Sequence, residues 1–374
     1  MSKKRLYHYS FDNIHNPKYG GGGAWRDMNV HRLLTDKYEI SFFTGGYPGA
    51  RPYVHDGIAV RPMGFCSKSH LLNRLSFSIF CTFHSLFSHA DLTVVTYSVF
   101  SPVLSFLLRP GKIIIEYHHY LGKQIFRKYR RFGVLPYIME ILVLQYAKHV
   151  ITSADSVAHY FANRKGRRKN VTAVYNGFSS KLLEGVSKDN GYILAFGRID
   201  IYMKGLDLLL PAFDKTAMRD PMVKLKIAGR GEGADIEKLK ELINASHAKK
   251  RIELFLSVNE ALKADLLLNA SFVCIPSRFE GWCIVALEAA ASGKAVLGTD
   301  IWGLSDTVKN GETGLLVPSE NVDALSREMQ RLSSDKKYRN QLGKSGRIWA
   351  RTFSWENTAE RQDEFYRKRL KRKK

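Results

Sequence analysis

Short β-branched runs alternate with stretches of helical periodicity along most of this chain, the pattern of βαβ units and parallel sheets. In the first half, YEISFFT (38–44), DLTVVTY (91–97), KIIIEYH (112–118) and HVITSA (149–154) read as strands. In the second, GYILAFGRI (191–199), VKLKIAG (223–229), SFVCIPS (271–277), KAVLGTD (294–300) and TGLLVP (313–318) do the same. Amphipathic helices are predicted over 235–247 and 259–268. SPVLSFLL (101–108) reads as a helix capped by Ser101, with Pro102 in its first position. The polar, glycine-containing stretch 180–191 separates the halves, giving an α/β chain with domains at 1–185 and 186–354. Ligands of such sheets bind beyond the carboxyl ends of the strands, so the loops there, on a cleft between the halves, are expected to carry the chemistry.

Composition narrows this picture. A length of 374 residues suits two domains, and 45% hydrophobic residues suffice for two cores. Cys66, Cys81, Cys274 and Cys283 form no metal-ligand spacing and read as small core residues in a reducing compartment. The N-terminal segment has no apolar run of signal-peptide length. The most hydrophobic region, 71–108, is broken by Arg74, His84, His89, Asp91 and Pro102, short of the ~20 apolar residues a membrane span needs. A cytoplasmic protein is expected. Its net charge of +23 implies a polyanionic partner surface, nucleic acid or anionic lipid.

Four strand-end loops carry what a phosphate-bearing ligand needs. KYGGGGAWRD (18–27) puts four glycines before a helical pattern, where backbone amides can approach a phosphate. In AFGRIDIYMKGLDLLL (195–210), Arg198 and Lys204 flank a turn and suit a diphosphate. In RFEGWCIVALEAAASGKAV (278–296), Glu280 lies on a loop and Glu288 on the helix that follows, with Gly293 as its stop. The amides of Gly281, Trp282, Cys283 and Ile284 lie between the carboxylates and can hold an anion. One carboxylate can then accept from sugar hydroxyls and the other from a ribose diol. In IIIEYHHYLGK (113–123), His118 or His119 directly follows a strand and can face a donor sugar.

These motifs resemble the family 4 glycosyltransferases, retaining enzymes of the GT-B fold with two Rossmann-like domains facing across a cleft. The likeness covers nearly the whole chain and is strongest from about 191 to 366: the glutamate–seven–glutamate motif Glu280–Glu288, GRIDIYMKG, GLSDTVKNGETGLLVP (303–318) and TFSWENTAERQDEFY (352–366), with AVYNGF (173–178) ending the first domain. The resemblance implies that Glu288 binds the ribose and Glu280 the donor-sugar hydroxyls. It also implies that Arg198 and Lys204 neutralise the diphosphate without a metal or cofactor. Gly22 and Gly23 look like the family's N-terminal glycine pair, and His118 like its sugar-contacting histidine. A final helix, about 355–374, is implied to cross back to the first domain. The chain departs from the pattern at Cys283 and Ser257, where glycine is customary, and in its longer glycine loop. Retention in this family is explained by front-side departure of the leaving diphosphate, its growing charge stabilised here by Arg198 and Lys204. A nucleotide-sugar 2-epimerase shares the fold, but GRIDIYMKG followed by Glu280–Glu288 favours transfer. A nucleic-acid-binding protein would account for the charge, yet the chain has no RNP aromatics, zinc spacing or recognition-helix module.

The likeness and the charge together point to a glycan or lipid-linked acceptor, as in lipopolysaccharide or capsule biosynthesis, at the inner face of the membrane. GKQIFRKYRRFG (122–133) interleaves Phe126, Tyr129 and Phe132 with Lys123, Arg127, Lys128, Arg130 and Arg131. Such aromatics can enter the headgroup boundary while the cations meet lipid phosphates. NRKGRRKN (163–170) and the tail from Arg367 to Lys374 add further cations.

Overall fold

The computed structural model describes residues 3–16, 21–163, 170–231 and 233–371. The chain divides into two units, one formed by 1–177 with 355–374 and the other by 178–354. The first holds β1 (Lys4–Ser10), β2 (Tyr38–Gly45), β3 (Tyr53–His55), β4 (Ile58–Met63), β5 (Leu92–Thr96), β6 (Ile113–Tyr117), β7 (His149–Thr152) and β8 (Asn170–Ala173), in sheet order β3-β4-β2-β1-β5-β6-β7-β8. Among the described residues of this unit only the β3–β4 pair is antiparallel. Leu6 of β1 lies opposite both Ile40 and Leu92, so one apolar stripe runs across the centre of the sheet.

The second unit holds β9 (Tyr192–Phe196), β10 (Lys224–Gly229), β11 (Ile252–Leu256), β12 (Phe272–Ile275), β13 (Val296–Thr299) and β14 (Gly314–Val317), all parallel, in order β11-β10-β9-β12-β13-β14. This doubly wound order changes direction between β9 and β12. Ile193, Leu225, Phe272 and Leu297 from its strands pack with Leu209, Phe213 and Met329 from its helices in one core.

The first unit has a polar core beside its apolar one. On the helix Gly22–Arg32, Arg26 and Asp27 are each 1% exposed. Arg26 donates to Glu116 on β6, to Asp27 (3.3 Å) and to Gln362 (2.7 Å). Gln362 and Tyr366 lie on the helix Trp355–Lys371, which docks here. Gln362 donates to Glu116 at 2.6 Å, and the Asp363 carboxylate accepts from Tyr38 (2.7 Å) and Lys37 (2.9 Å). Buried charges persist only when compensated in this way.

His31 adds a pH dependence. Its ring lies 3.4 Å from His8 and 3.1 Å from the Tyr366 hydroxyl, with Asp27 and Glu116 close by. Burial and the neighbouring His8 push its titration down to about 4. In the unfolded chain it titrates near 6.5, so the unfolded state takes the proton first. Stability is therefore complete above pH 6.5 and falls as the pH drops towards 4. The first unit is expected to lose about 2 kcal/mol between pH 7 and pH 5 through this group. Urea unfolding at the two pH values checks this, and His31→Gln should flatten the difference. A slope unchanged in the variant removes His31 as its source.

Three expectations need correction. The helix predicted over 101–108 spans only Ser105–Leu108. Ser101 does not cap it, because its hydroxyl accepts from Arg74 (3.4 Å), and the Leu104 amide is taken by Thr82 (2.9 Å). The stretch 180–191 is part of the second unit: Leu182 is buried, the Leu183 and Gly185 carbonyls accept from Arg347, and Lys188 N–H donates to Leu268. Cys81, Cys274 and Cys283 are buried as expected, but Cys66 is exposed on the loop after β4.

Candidate active site

At the change of direction between β9 and β12, a cavity of about 610 Å³, open mouth included, lies beyond the strand ends. Gly197, Arg198 and Lys204 line it after β9. Ser277 and Glu280 line it after β12, with Trp282, Cys283 and Ile284 at the start of the helix Ile284–Ala291.

Local geometry explains why these residues meet. Gly205 has φ +63°, and a Cβ there would come within 2.0 Å of the Pro276 carbonyl oxygen. Glycine thus lets the helix Leu206–Arg219 start against the end of β12. Lys204, just before it, reaches Glu280 with Nζ–Oε1 2.6 Å, and Ser277 Oγ donates to the same oxygen at 2.8 Å. Gly303 closes the other side, where a Cβ would lie 2.6 Å from the Glu280 carbonyl oxygen and 2.8 Å from Gly281. Arg198 is exposed at the cavity. The site therefore offers one cation held by a carboxylate and a second exposed to solvent, at the edge of an apolar wall.

Arg278 supports this loop. Its guanidinium makes paired bonds to Asp207 (2.7 and 2.8 Å) and Glu320 (2.7 and 2.9 Å) and donates to the Tyr202 carbonyl (2.7 Å). Burial opposes its charge, but the two carboxylates hold its titration above the ordinary value. It ties the Glu280 loop to the helix that follows Lys204.

Glu288 lies away from the cavity wall and is 6% exposed. Lys263 Nζ stands 2.7 Å from its Oε1 and 2.7 Å from Glu260. Burial pushes the Glu288 carboxyl up and Lys263 opposes that. Sequence reasoning missed both Lys263 and Arg278. Lys263 is one polar position on a helix read only as amphipathic, and no spacing marks Arg278 off from an ordinary surface arginine.

Gly22, Gly23 and His118 belong to the first unit. The glycines open the helix Gly22–Arg32; a Cβ at Gly22 would meet nothing within 4 Å, and one at Gly23 only Asp12, at 3.3 Å. His118 follows β6, with Nε2 3.7 Å from Asp27 and 3.6 Å from Glu116 and a ring 19% exposed. Two overlapping trios could in geometry hold a cation, His8–His31–Glu116 and Asp27–Glu116–His118. The Arg26 guanidinium already bonds Glu116 and Asp27 and supplies positive charge at that place.

The basic segment forms the short helix Ile125–Tyr129 and a following turn. Lys123, Arg127, Arg130 and Arg131 are exposed. Its aromatics are not all presented outwards: Phe126 packs on Tyr137 (5.2 Å between centroids) and Tyr129 on Phe100 (5.0 Å), leaving Phe132 at 77% exposure. In the tail, Arg369 is buried and donates to the Gly111 carbonyl, Arg367 pairs with Asp363 and Lys368 with Glu364. The cations at 164–169 and 372–374 lie outside the described residues.

Comparison with known proteins agrees with this architecture. Over 247 residues the chain is 29% identical to the D-inositol 3-phosphate glycosyltransferase of Kribbella flavida, covering 58% of this chain and 56% of that protein. It spans about half the length of the curated relatives it matches. Sucrose-phosphate synthase from Thermosynechococcus elongatus superposes with a TM-score of 0.82 at 20% identity, over 98% of this chain and 99% of that one. Anabaena HepE, in complex with UDP and glucose, gives 0.71 at 15% identity, over 96% and 98%. The fold is thus that of the GT-B glycosyltransferases, and residues 183–349 match the family of glycosyl transferases group 1.

Proposed function

We propose that this protein is a retaining glycosyltransferase that moves a sugar from a nucleotide-diphosphate donor to a glycan or lipid-linked acceptor in cell-surface polysaccharide or glycolipid synthesis. The observation that carries the reading is the cavity beyond β9 and β12, where Arg198, Lys204 and Glu280 converge at the start of a helix. The bound UDP of the HepE structure is in keeping with such a donor. Arg198 and Lys204 meet the diphosphate and stabilise the charge that grows on it as the glycosidic bond breaks. Glu280 orients the sugar hydroxyls, and the helix Ile284–Ala291 turns its positive N-terminal end towards the phosphates, although the Cys283 and Ile284 amides already donate to the Gly303 (3.4 Å) and Trp282 (3.1 Å) carbonyls. Glu288, paired with Lys263 one turn beyond the cavity-lining Ile284, accepts from the ribose hydroxyls. His118, beside Asp27 and Glu116, addresses the sugar, and Gly22 and Gly23 leave room for backbone contact with it. No metal takes part, because the two cations do its work. The protein acts at the inner face of the membrane, held by the cations of 122–133, each worth about 1 kcal/mol beside anionic lipid.

Incubation with a panel of nucleotide sugars tests this through slow donor hydrolysis, which should survive EDTA. Loss on chelation with recovery in magnesium rejects the metal-free reading, and an epimerised donor sugar as sole product rejects transfer. Glu288→Ala is expected to weaken donor binding about tenfold, the worth of a hydrogen bond to a charged group, without unfolding the protein. Calorimetric affinity equal to that of the parent protein rejects the ribose role.

A further inference from the structure

The helix His70–Phe87 carries a feature that sugar transfer does not use. Leu71, Leu75, Ile79, Phe83 and Phe87 recur every fourth residue along one side and are 66, 52, 55, 60 and 70% exposed. At 1.5 Å per residue the row is about 24 Å long. Phe77 and Cys81 on the opposite side are buried and fix the helix to its unit. An apolar row of this size is unusual on a monomer and marks an interaction surface.

Charge selects the occupant. From Gly57 to Ala90 the chain has no Asp or Glu, while Arg61, Lys68 and Arg74 supply cations. Arg74 lies over the Phe100 ring (5.9 Å), and Phe100 packs on Tyr129 (5.0 Å), so the helix, on the side that carries Arg74, adjoins the basic segment 122–133. A second copy of this chain would bring +23 against +23. Among the described residues no helix is long and apolar enough to cross a membrane. An amphipathic helix of this kind lies in the plane of the bilayer interface, apolar side down.

We propose that the exposed face of His70–Phe87 inserts into the headgroup boundary of an anionic lipid bilayer. The inference rests on the membrane association proposed above and names the face that enters the lipid.

The full chain is mixed with phosphatidylcholine vesicles with and without phosphatidylglycerol and floated on a density gradient. The parent protein should float with anionic vesicles. Leu75→Glu with Phe83→Glu should weaken that binding about tenfold or more through lost apolar contact, with an unchanged circular-dichroism melt. In a Cys66→Ser background, Phe83→Cys labelled with an environment-sensitive dye should shift to the blue on anionic vesicles. Parental binding by the double variant, or a dye that stays in water, overturns the proposal. If Arg127→Glu, Arg130→Glu and Arg131→Glu together abolish flotation while Leu75→Glu with Phe83→Glu does not, insertion falls and the electrostatic reading stands. If the parent protein does not float, both fall. A parent dimer that the Leu75→Glu, Phe83→Glu variant turns into a monomer also overturns the proposal, since the face then binds another copy.

Discussion

Replacing Lys204 with alanine is expected to lower kcat about a hundredfold or more, the usual cost of removing one preorganised group that meets developing charge. Two effects add. The leaving diphosphate loses an ammonium, and Glu280 loses the cation 2.6 Å away that fixes its orientation. Donor KM should rise less than kcat falls, because Arg198 and the positive end of the helix Ile284–Ala291 still bind the ground state. Lys204→Arg should recover part of the rate, while Lys204→Ala combined with Glu280→Ala should be little worse than either alone. Steady-state assay with the preferred nucleotide sugar measures all three. A Lys204→Ala enzyme within threefold of the parent kcat would falsify the role.

Arg26→Met is expected to give the largest loss of stability, about 3–5 kcal/mol, as when one member of a buried ion pair is removed. Glu116 and Asp27, 0% and 1% exposed, would face each other without a counterion, and Gln362 and Asn176 would lose a donor. Urea unfolding of the full chain, analysed as two transitions, should show the first unit shifted and the second in place. Glu116→Gln in the same chain should return part of the loss, because it removes the stranded charge. A change below 1 kcal/mol means that the network does not hold the first unit together.

The second unit was the more legible in the sequence. Its strands β9, β10, β12, β13 and β14 are apolar runs bounded by turn residues, and each lies where the pattern puts it. Arg198, Lys204 and Glu280 follow β9 and β12 in sequence, so the strand-end rule brings them together. In the first unit, β1 (KRLYHYS) escaped notice because its histidine and tyrosines look polar, yet His8 is fully buried in the charged core. The helix His70–Phe87 was hidden for the opposite reason: apolar residues on its exposed side erase the contrast that periodicity needs. Partners such as Lys263 for Glu288, or Gln362 for Glu116, depend on distant packing that no local pattern encodes.

The docking of Trp355–Lys371 also sets an order of events during synthesis. The second unit is contiguous from 178 to 354, so all of its strands have been made before the helix Trp355–Lys371 appears. The first unit is interrupted by it: Arg26 and Glu116 are translated before the second unit, yet Gln362 and Tyr366 only after it. A nascent chain must therefore carry an unfinished charged core while a whole neighbouring unit is built. A stop codon near 354 would leave that core permanently open. Chaperone dependence and proteolysis of early-terminated products should fall on the N-terminal half, although the missing residues are C-terminal.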